Sequence, residues 1–230
     1  MSGLREPRQN WRADLSGVAG ADRVGYSRGV REGHEWELCG VDEAGRGPLA
    51  GPVVAALVVL MPDQHIDGVR DSKQLTPRRR TLLAAEIRYH AAAWSVARAE
   101  VAEIDALNIL RATMLAMRRA VEQLDRLPDE LCVDGNRAPE LPGYHGRTTT
   151  IVGGDRTCLA ISAASILAKV ARDDLMLDLD RSFPQYGFAQ HKGYPTAQHR
   201  KALLHHGPCA AHRRSFRPVR QAIEAKASCA

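Results

Sequence analysis

The sequence predicts an α/β protein, a mixed β-sheet flanked by helices. Two observations carry that expectation. Short apolar runs alternate with helical stretches in the order strand, strand, helix, strand, helix, strand, strand, helix, the pattern of a layered α/β domain rather than a bundle or sandwich. Acids also stand at three strand ends or turns beside glycine or small residues, and strand ends at one edge of an open α/β sheet are where ligands gather.

Bulk properties narrow the class. A chain of 230 residues can bury a substantial core in one domain. A formal charge of +5 and a pI near 9.1 suit a polyanionic partner. The five cysteines are odd in number and form no CxxC pair, which argues against a disulfide framework and a structural zinc site. No apolar run approaches bilayer length. Arg5, Arg8, Arg12 and Asp14 interrupt the N-terminal stretch where a secretory signal would lie. The chain therefore reads as soluble and cytoplasmic, with reduced thiols, and as a monomer because no exposed apolar seam stands out.

Residues 1–33 are polar, rich in glycine and arginine, and aperiodic. They are expected to form a flexible extension, with Trp11 and Tyr26 able to dock it. One domain is expected over 34–223, and a short tail over 224–230. Leu38 to Val41 reads as a strand that delivers Asp42 and Glu43 to a turn made of Gly45, Arg46, Gly47, Pro48, Gly51 and Pro52. Val53 to Met61 (VVAALVVLM) is a second, strongly apolar strand.

Beyond the polar DSKQL stretch, Thr76 and Pro77 supply an N-cap and first turn for a helix to about Ala92, with Leu83 and Ile87 inward. Trp94 to Val101 is a strand. Glu103 to about Asp125 reads as one core-facing helix, because Leu107, Leu110, Met114, Met117, Val121 and Leu124 alternate spacings of three and four. Leu131 to Asp134 and Thr148 to Val152 are short strands separated by a loop rich in proline and glycine. Gly153-Gly154-Asp155 then turns the chain into a helix from about Leu159 to Asp180, whose small residues suit close packing on a sheet. From Arg181 through Ile223 there is no aspartate or glutamate, while arginine, lysine, histidine and aromatic residues interleave. Nucleic-acid contact is expected there.

Asp42 with Glu43, Asp134 and Asp155 share one local design. If their strand ends converge, repulsion would raise their pKa values unless divalent cations neutralise them. Oxygen donors without cysteine or paired histidine favour Mg²⁺ or Mn²⁺ over zinc. Two such ions would support in-line phosphodiester hydrolysis without a protein nucleophile, and no credible Ser-His-Asp or Cys-His arrangement offers one. Adjacent residues on a regular strand face opposite ways, so the strand is expected to break at the glycine turn and let Glu43 swing back. That turn lacks the ending of a P-loop and the spacing of a dinucleotide fingerprint. Its backbone could instead hydrogen-bond a sugar, whose 2′-hydroxyl distinguishes RNA from DNA.

The motifs GVDEAGRGPLAGPVVAA, DSKQL, VDGNR, ISAASILAKVARD, FPQYGFAQHKGYPT and HRRSF together resemble bacterial type 2 ribonuclease H, ribonuclease HII, from about Leu38 to Val219. The resemblance implies an RNase H-like fold with a helical C-terminal portion. It implies cleavage of the RNA strand of RNA–DNA hybrids, and a cut 5′ to single ribonucleotides embedded in duplex DNA. It makes Asp42, Glu43, Asp134 and Asp155 the metal-binding carboxylates for Mn²⁺ or Mg²⁺. It makes Gly45, Arg46 and Gly47 the backbone reader of the 2′-hydroxyl, and Tyr194 the residue that packs on the adjacent deoxyribose. Lys73 and Lys192 fall where phosphate contacts are expected.

Asp155 departs from the family pattern, since many relatives carry a lysine before the preceding glycine. Asp173 and Asp174 would be its replacements, but read as helix-surface acids. His191 is expected to make a polar contact rather than shuttle a proton, His205 and His206 to lie on the surface, and Cys132 to act as a small buried hydrophobe. Two other functions fit the same residues: a DNA-specific nuclease or resolvase of this fold, and a non-catalytic hybrid-binding module with structural acids.

Overall fold

Eight consecutive apolar residues form strand β3 (Val53–Leu60), and all eight are buried. A strand that is apolar on both faces requires cover on both sides, and the chain supplies it. In the computed structural model, which describes residues 23–26, 38–61, 66–69, 75–126 and 129–227, β3 lies inside a six-stranded sheet. The other strands are β1 (Arg23–Tyr26), β2 (Leu38–Ala44), β4 (Ala93–Ala99), β5 (Glu130–Asp134) and β6 (Arg147–Ile151), in the order β1-β4-β3-β2-β5-β6. Strands β1, β4, β3 and β2 pair antiparallel. Strands β2, β5 and β6 run parallel, which brings their C-terminal ends to one edge.

Alternation along β3 sorts its side chains into two cores. Val53, Ala55, Leu57 and Val59 pack with Ile104 of α2 (Val101–Leu107) and with Ala116 and Met117 of α3 (Ile109–Glu122). Val54, Ala56, Val58 and Leu60 pack with Leu83 and Ile87 of α1 (Pro77–His90), and with Ala163, Ile166 and Leu167 of α5 (Leu159–Ser182). Helix α1 starts as expected. Thr76 accepts a hydrogen bond from the Arg79 N–H and Pro77 occupies the first turn.

Helix α5 comes unusually close to β2. A Cβ added to Gly40 would collide with the backbone of Ala160 and Ile161, which no rotamer change can relieve. Replacing Gly40 by Ala is therefore expected to cost about 1–3 kcal/mol by overpacking, at the upper end because backbone must move. Urea unfolding of the two proteins checks this, and an unchanged midpoint would show that α5 can shift freely.

Two expectations are corrected. The single helix over 103–125 is two helices, broken at Asn108, whose φ is 72°. The Asn108 side chain accepts hydrogen bonds from the Leu110 and Arg111 N–H groups and so starts α3. Met117, Val121 and Leu124 are buried, while Leu107, before the break, is 36 % exposed. The second concerns the N-terminal extension. Arg23–Tyr26 within it pairs with Ala93–Val96 as the edge strand β1; Trp11 and the other residues up to 37 lie outside the described residues.

Past α5 the chain is helical, as expected of the C-terminal portion. It forms a 3₁₀ turn (Pro184–Tyr186), α6 (Phe188–His191), α7 (Ala197–His206) and α8 (Arg217–Ala227). Among the described residues no helix is long and apolar enough to cross a membrane.

Candidate active site

The parallel register fixes the geometry of the acids. Val41 pairs with Val133 and Asp134 with Ile151, so Asp42, Asp134 and the Gly153–Asp155 turn stand at adjacent strand ends. Asp42 is 6 % exposed. Burial, then the charges of Glu43 and Asp134, holds its carboxyl well above the usual range. The Glu43 N–H, at 2.7 Å, and the Ser165 side chain of α5 hydrogen-bond it. Glu43 is also raised, first by burial and with a further push from Asp134, against the lowering influence of Arg46 at 3.3 Å. Oδ1 of Asp134 is buried and has no hydrogen-bond partner among the described residues.

Asp155 opens the short helix α4 (Gly154–Thr157) and is 4 % exposed, with its backbone carbonyl accepting from the Ser162 hydroxyl. A Cβ on Gly154 would lie 3.4 Å from the free Asp134 oxygen, so the turn that carries Asp155 abuts the cluster. The electrostatic contact joins Asp42, Glu43 and Asp134; Asp155 is adjacent to it. Among the described residues no three acid, imidazole or thiol side chains already stand as a ligand set.

Strand β2 ends at the glycine turn, as expected. Its pairing with β3 continues through Glu43↔Ala55 and Ala44↔Val54, and the turn comes at Gly45, with φ 101°. Glu43 nevertheless lines a cleft of about 330 Å³ together with Gly45, Lys169, Arg172 and Tyr194. Its place one residue from the strand end, and its longer side chain, let it reach past the edge where the shorter Asp42 stays under α5.

Gly45, the first residue of the Gly45–Pro52 loop, lines this cleft. Arg46 and Gly47 are exposed while Gly45 and residues 48–52 are buried. Tyr194, 45 % exposed, comes within 3.6 Å of where a Gly47 Cβ would be. Tyr194 is held through its backbone by a histidine chain that sequence reasoning did not foresee. The Cys209 N–H donates to His212 Nδ1, leaving His212 Nε2 to donate to His199 Nε2 at 3.1 Å and His199 Nδ1 to donate to the Tyr194 carbonyl at 2.9 Å. His191 stacks on His199 with ring centroids 4.4 Å apart. Its Nε2 donates to the Tyr186 carbonyl and its Nδ1 accepts from the Gly193 N–H, a polar contact as expected.

This chain operates with neutral rings. Burial, then His199, pushes His212 down to about 4 from an ordinary 6.5, and burial also lowers His199. Below pH 6.5 the unfolded chain takes up protons that these folded rings refuse, so their contribution to stability is complete above that pH and is lost as pH falls toward 4. The melting temperature of a His212→Gln variant is expected to fall less than that of the parent over this window. Equal falls in thermal melts would remove the cluster as the cause.

The remaining expected positions sort as follows. Lys73 lies outside the described residues. Lys192 is half-buried with φ 50°, and its carbonyl accepts from Arg172. Asp174 is exposed, as read from sequence. Asp173 is instead held in the cleft wall between Lys169 at 2.6 Å and Arg80 at 3.7 Å, so it does not replace Asp155. His205 and His206 are exposed on α7. Cys132 is 8 % exposed and burial pushes its thiol up to about 11, which suits a small hydrophobe. Sequence reasoning also missed Lys169, Arg80, Arg172 and Arg213. The first two add positive charge beside the acids, as a phosphodiester site requires.

The same sheet and helices occur in the ribonuclease H2 of Pyrococcus horikoshii OT3. Its structure matches with a TM-score of 0.69 at 28 % identity, covering 82 % of this chain and 98 % of that one. The fold is that of the RNase H-like class. At finer grain, the profile of the ribonuclease HII family matches residues 39–219. The ribonuclease HII of Thiobacillus denitrificans is 59 % identical over 81 % of this chain and 90 % of its own length. That of Burkholderia ambifaria is 54 % identical over 97 % of both. The chain belongs to the ribonuclease HII family and is a ribonuclease H enzyme.

Proposed function

We propose that the enzyme hydrolyses the RNA strand of RNA–DNA hybrids and cuts 5′ to a single ribonucleotide embedded in duplex DNA, leaving a 3′-hydroxyl and a 5′-phosphate. The observation that carries this reading is the shared cleft, in which Glu43, the Gly45 turn and Tyr194 line one volume. A strand-cleaving centre and a sugar-reading surface thus face the same substrate.

The acids fit divalent cations. A buried oxygen of Asp134 without a partner, beside two carboxyls raised by burial and mutual charge, is a site that a cation would complete. Asp42, Glu43, Asp134 and Asp155 would hold Mg²⁺ or Mn²⁺. The chemistry such a pair of ions supplies is activation of water and neutralisation of the leaving oxygen. The protein's own share is placement. Arg46, Lys169 and Arg80 would attract phosphate, and phosphate contacts by Lys73 and Lys192 rest on the family resemblance alone. The Arg46 and Gly47 N–H groups would donate to the ribose 2′-hydroxyl, and the Tyr194 ring would pack on the following deoxyribose. We further take the protein to be a cytoplasmic monomer acting in ribonucleotide removal; among the described residues Cys39, Cys132, Cys158 and Cys209 form no disulfide, which suits a reducing compartment.

A labelled DNA duplex with one internal ribonucleotide, incubated with Mg²⁺ or Mn²⁺ beside an all-DNA control, tests the proposal. One metal-dependent cut 5′ to the ribonucleotide, with the control intact, is expected. Equal cutting of the control would make the enzyme a DNA nuclease instead.

A further inference from the structure

Two buried guanidinium groups, Arg172 of the cleft lining and Arg213, spend their hydrogen bonds on backbone carbonyls, most of them in the Gly45–Pro52 loop. Arg213 is 0 % exposed. It donates to the carbonyls of Gly45 at 2.6 Å, Pro48 at 2.8 Å, Gly51 at 2.9 Å, Arg46 at 3.0 Å and Pro52 at 3.2 Å. Arg172, 1 % exposed, donates to Ala50 at 3.1 Å, Pro52 at 3.2 Å and Lys192 at 3.0 Å. Gly45 rests directly on Arg172, with no room between them for a Cβ. The loop is also stitched by Leu49 N–H to the Gly193 carbonyl, Gly51 N–H to Ala211 and Arg213 N–H to Leu49.

Peptide planarity converts this into a statement about the other side of the loop. In a trans peptide the N–H of one residue points opposite to the C=O of the residue before it. With the Gly45 and Arg46 carbonyls drawn inward onto Arg213, the Arg46 and Gly47 N–H groups are turned outward. Those are the exposed residues of the loop, and neither N–H is engaged by another described residue. Arg213 is itself anchored by its neighbours. The Asp105 carboxylate of α2 accepts from the Arg214 N–H, the Ser215 N–H and the Ser215 hydroxyl, and the Phe216 ring lies 5.1 Å from the Arg213 guanidinium.

Building on the reading that these two amides recognise a ribose hydroxyl, we propose that Arg213 and Arg172 are positioning residues for substrate selection. They clamp the Gly45–Pro52 carbonyls so that the Arg46 and Gly47 amides are aimed before substrate arrives. Lysine cannot replace either one, since a single ammonium has three donors on one nitrogen and cannot span carbonyls that a planar fork reaches.

The test uses the full chain with Arg213→Lys, and Arg172→Lys as a second variant should the first fail to fold. Hydrogen exchange is expected to quicken at least tenfold at the Leu49 and Gly51 amides, which are hydrogen-bonded in the loop, while β2–β3 pairing stays protected. The kcat/KM on a duplex with one embedded ribonucleotide is expected to fall about 100-fold, the scale of a misplacement of about 1 Å. Binding to an all-DNA duplex and the Mn²⁺-induced rise in melting temperature should stay within twofold of the parent, because the carboxylates and basic surface are untouched.

Loop amides that exchange at the parent rate would overturn the clamp, whatever the substrate proves to be. Cleavage within threefold of the parent despite a loosened loop would overturn the role in selection. A parent enzyme that leaves the ribonucleotide uncut, with the loop still released in the variant, would overturn the functional reading and leave the clamp standing.

Discussion

An Asp134→Asn enzyme is expected to lose cleavage by about 1000-fold or more, since the lost charge stabilisation amounts to several kcal/mol, and yet to melt at a higher temperature than its parent when divalent ions are absent. Both effects have one cause. The Asp134 charge raises the pKa of Asp42 and Glu43, which means that the three groups repel one another in the folded protein. An amide of the same shape removes that repulsion while keeping the strand end intact. A gain of about 1 kcal/mol corresponds to about 2–4 °C in a chain of this size. Calorimetry in chelator, then in Mn²⁺, checks the pair of claims. The parent should gain more from Mn²⁺ than the variant, and a variant that cleaves normally or melts lower in chelator would remove Asp134 from the cluster.

Tyr194→Ala is expected to lower kcat/KM on a single embedded ribonucleotide by about 10- to 100-fold, the range measured when an aromatic stacking surface is deleted. Uniform RNA–DNA hybrids should suffer less, because every step of the hybrid offers a ribose to the Arg46–Gly47 amides. The side chain has no hydrogen bond to lose; its backbone, held by His199 and His191, stays in place after truncation. The stability of the variant should therefore be close to that of the parent. Parallel kinetics on the two substrates decide the matter, and an equal loss on both would make the ring a general duplex contact.

The acids were legible in the sequence because a strand-end carboxylate beside glycine is a local pattern. Asp42, Asp134 and the Gly153–Asp155 turn announce themselves within a few residues, and the parallel pairing of β2, β5 and β6 does the rest. The sheet was legible for the same reason, β3 above all. Where the reading failed, the deciding contact was distant or the backbone left its usual region. Asn108 splits a helix whose apolar spacing runs unbroken across it, because its φ of 72° places its side chain over the next turn. Arg213 sits in a stretch that reads as basic surface, and only the fold turns it inward onto carbonyls 161 to 168 positions away in sequence; the Arg172 partners Ala50 and Pro52 are likewise 122 and 120 positions away. Residues Arg23–Tyr26 gave no periodic signal in four residues, and their strand exists because β4 offers an unpaired edge.

That long reach from Arg213 back to Gly45 also orders events in time. Synthesis proceeds from the N-terminus, and segments emerge long before their distant partners. Strands β2 and β3, with two of the four acids, are made early, whereas the side chain that sets the neighbouring loop arrives 168 residues later. A growing chain would thus carry acids able to attract cations without a finished means of choosing a sugar. On the proposed reading, sugar selection would be complete only when the last segment docks, so a ribosome-bound or truncated form ending before residue 213 should cut embedded ribonucleotides at least as poorly as the Arg213→Lys variant.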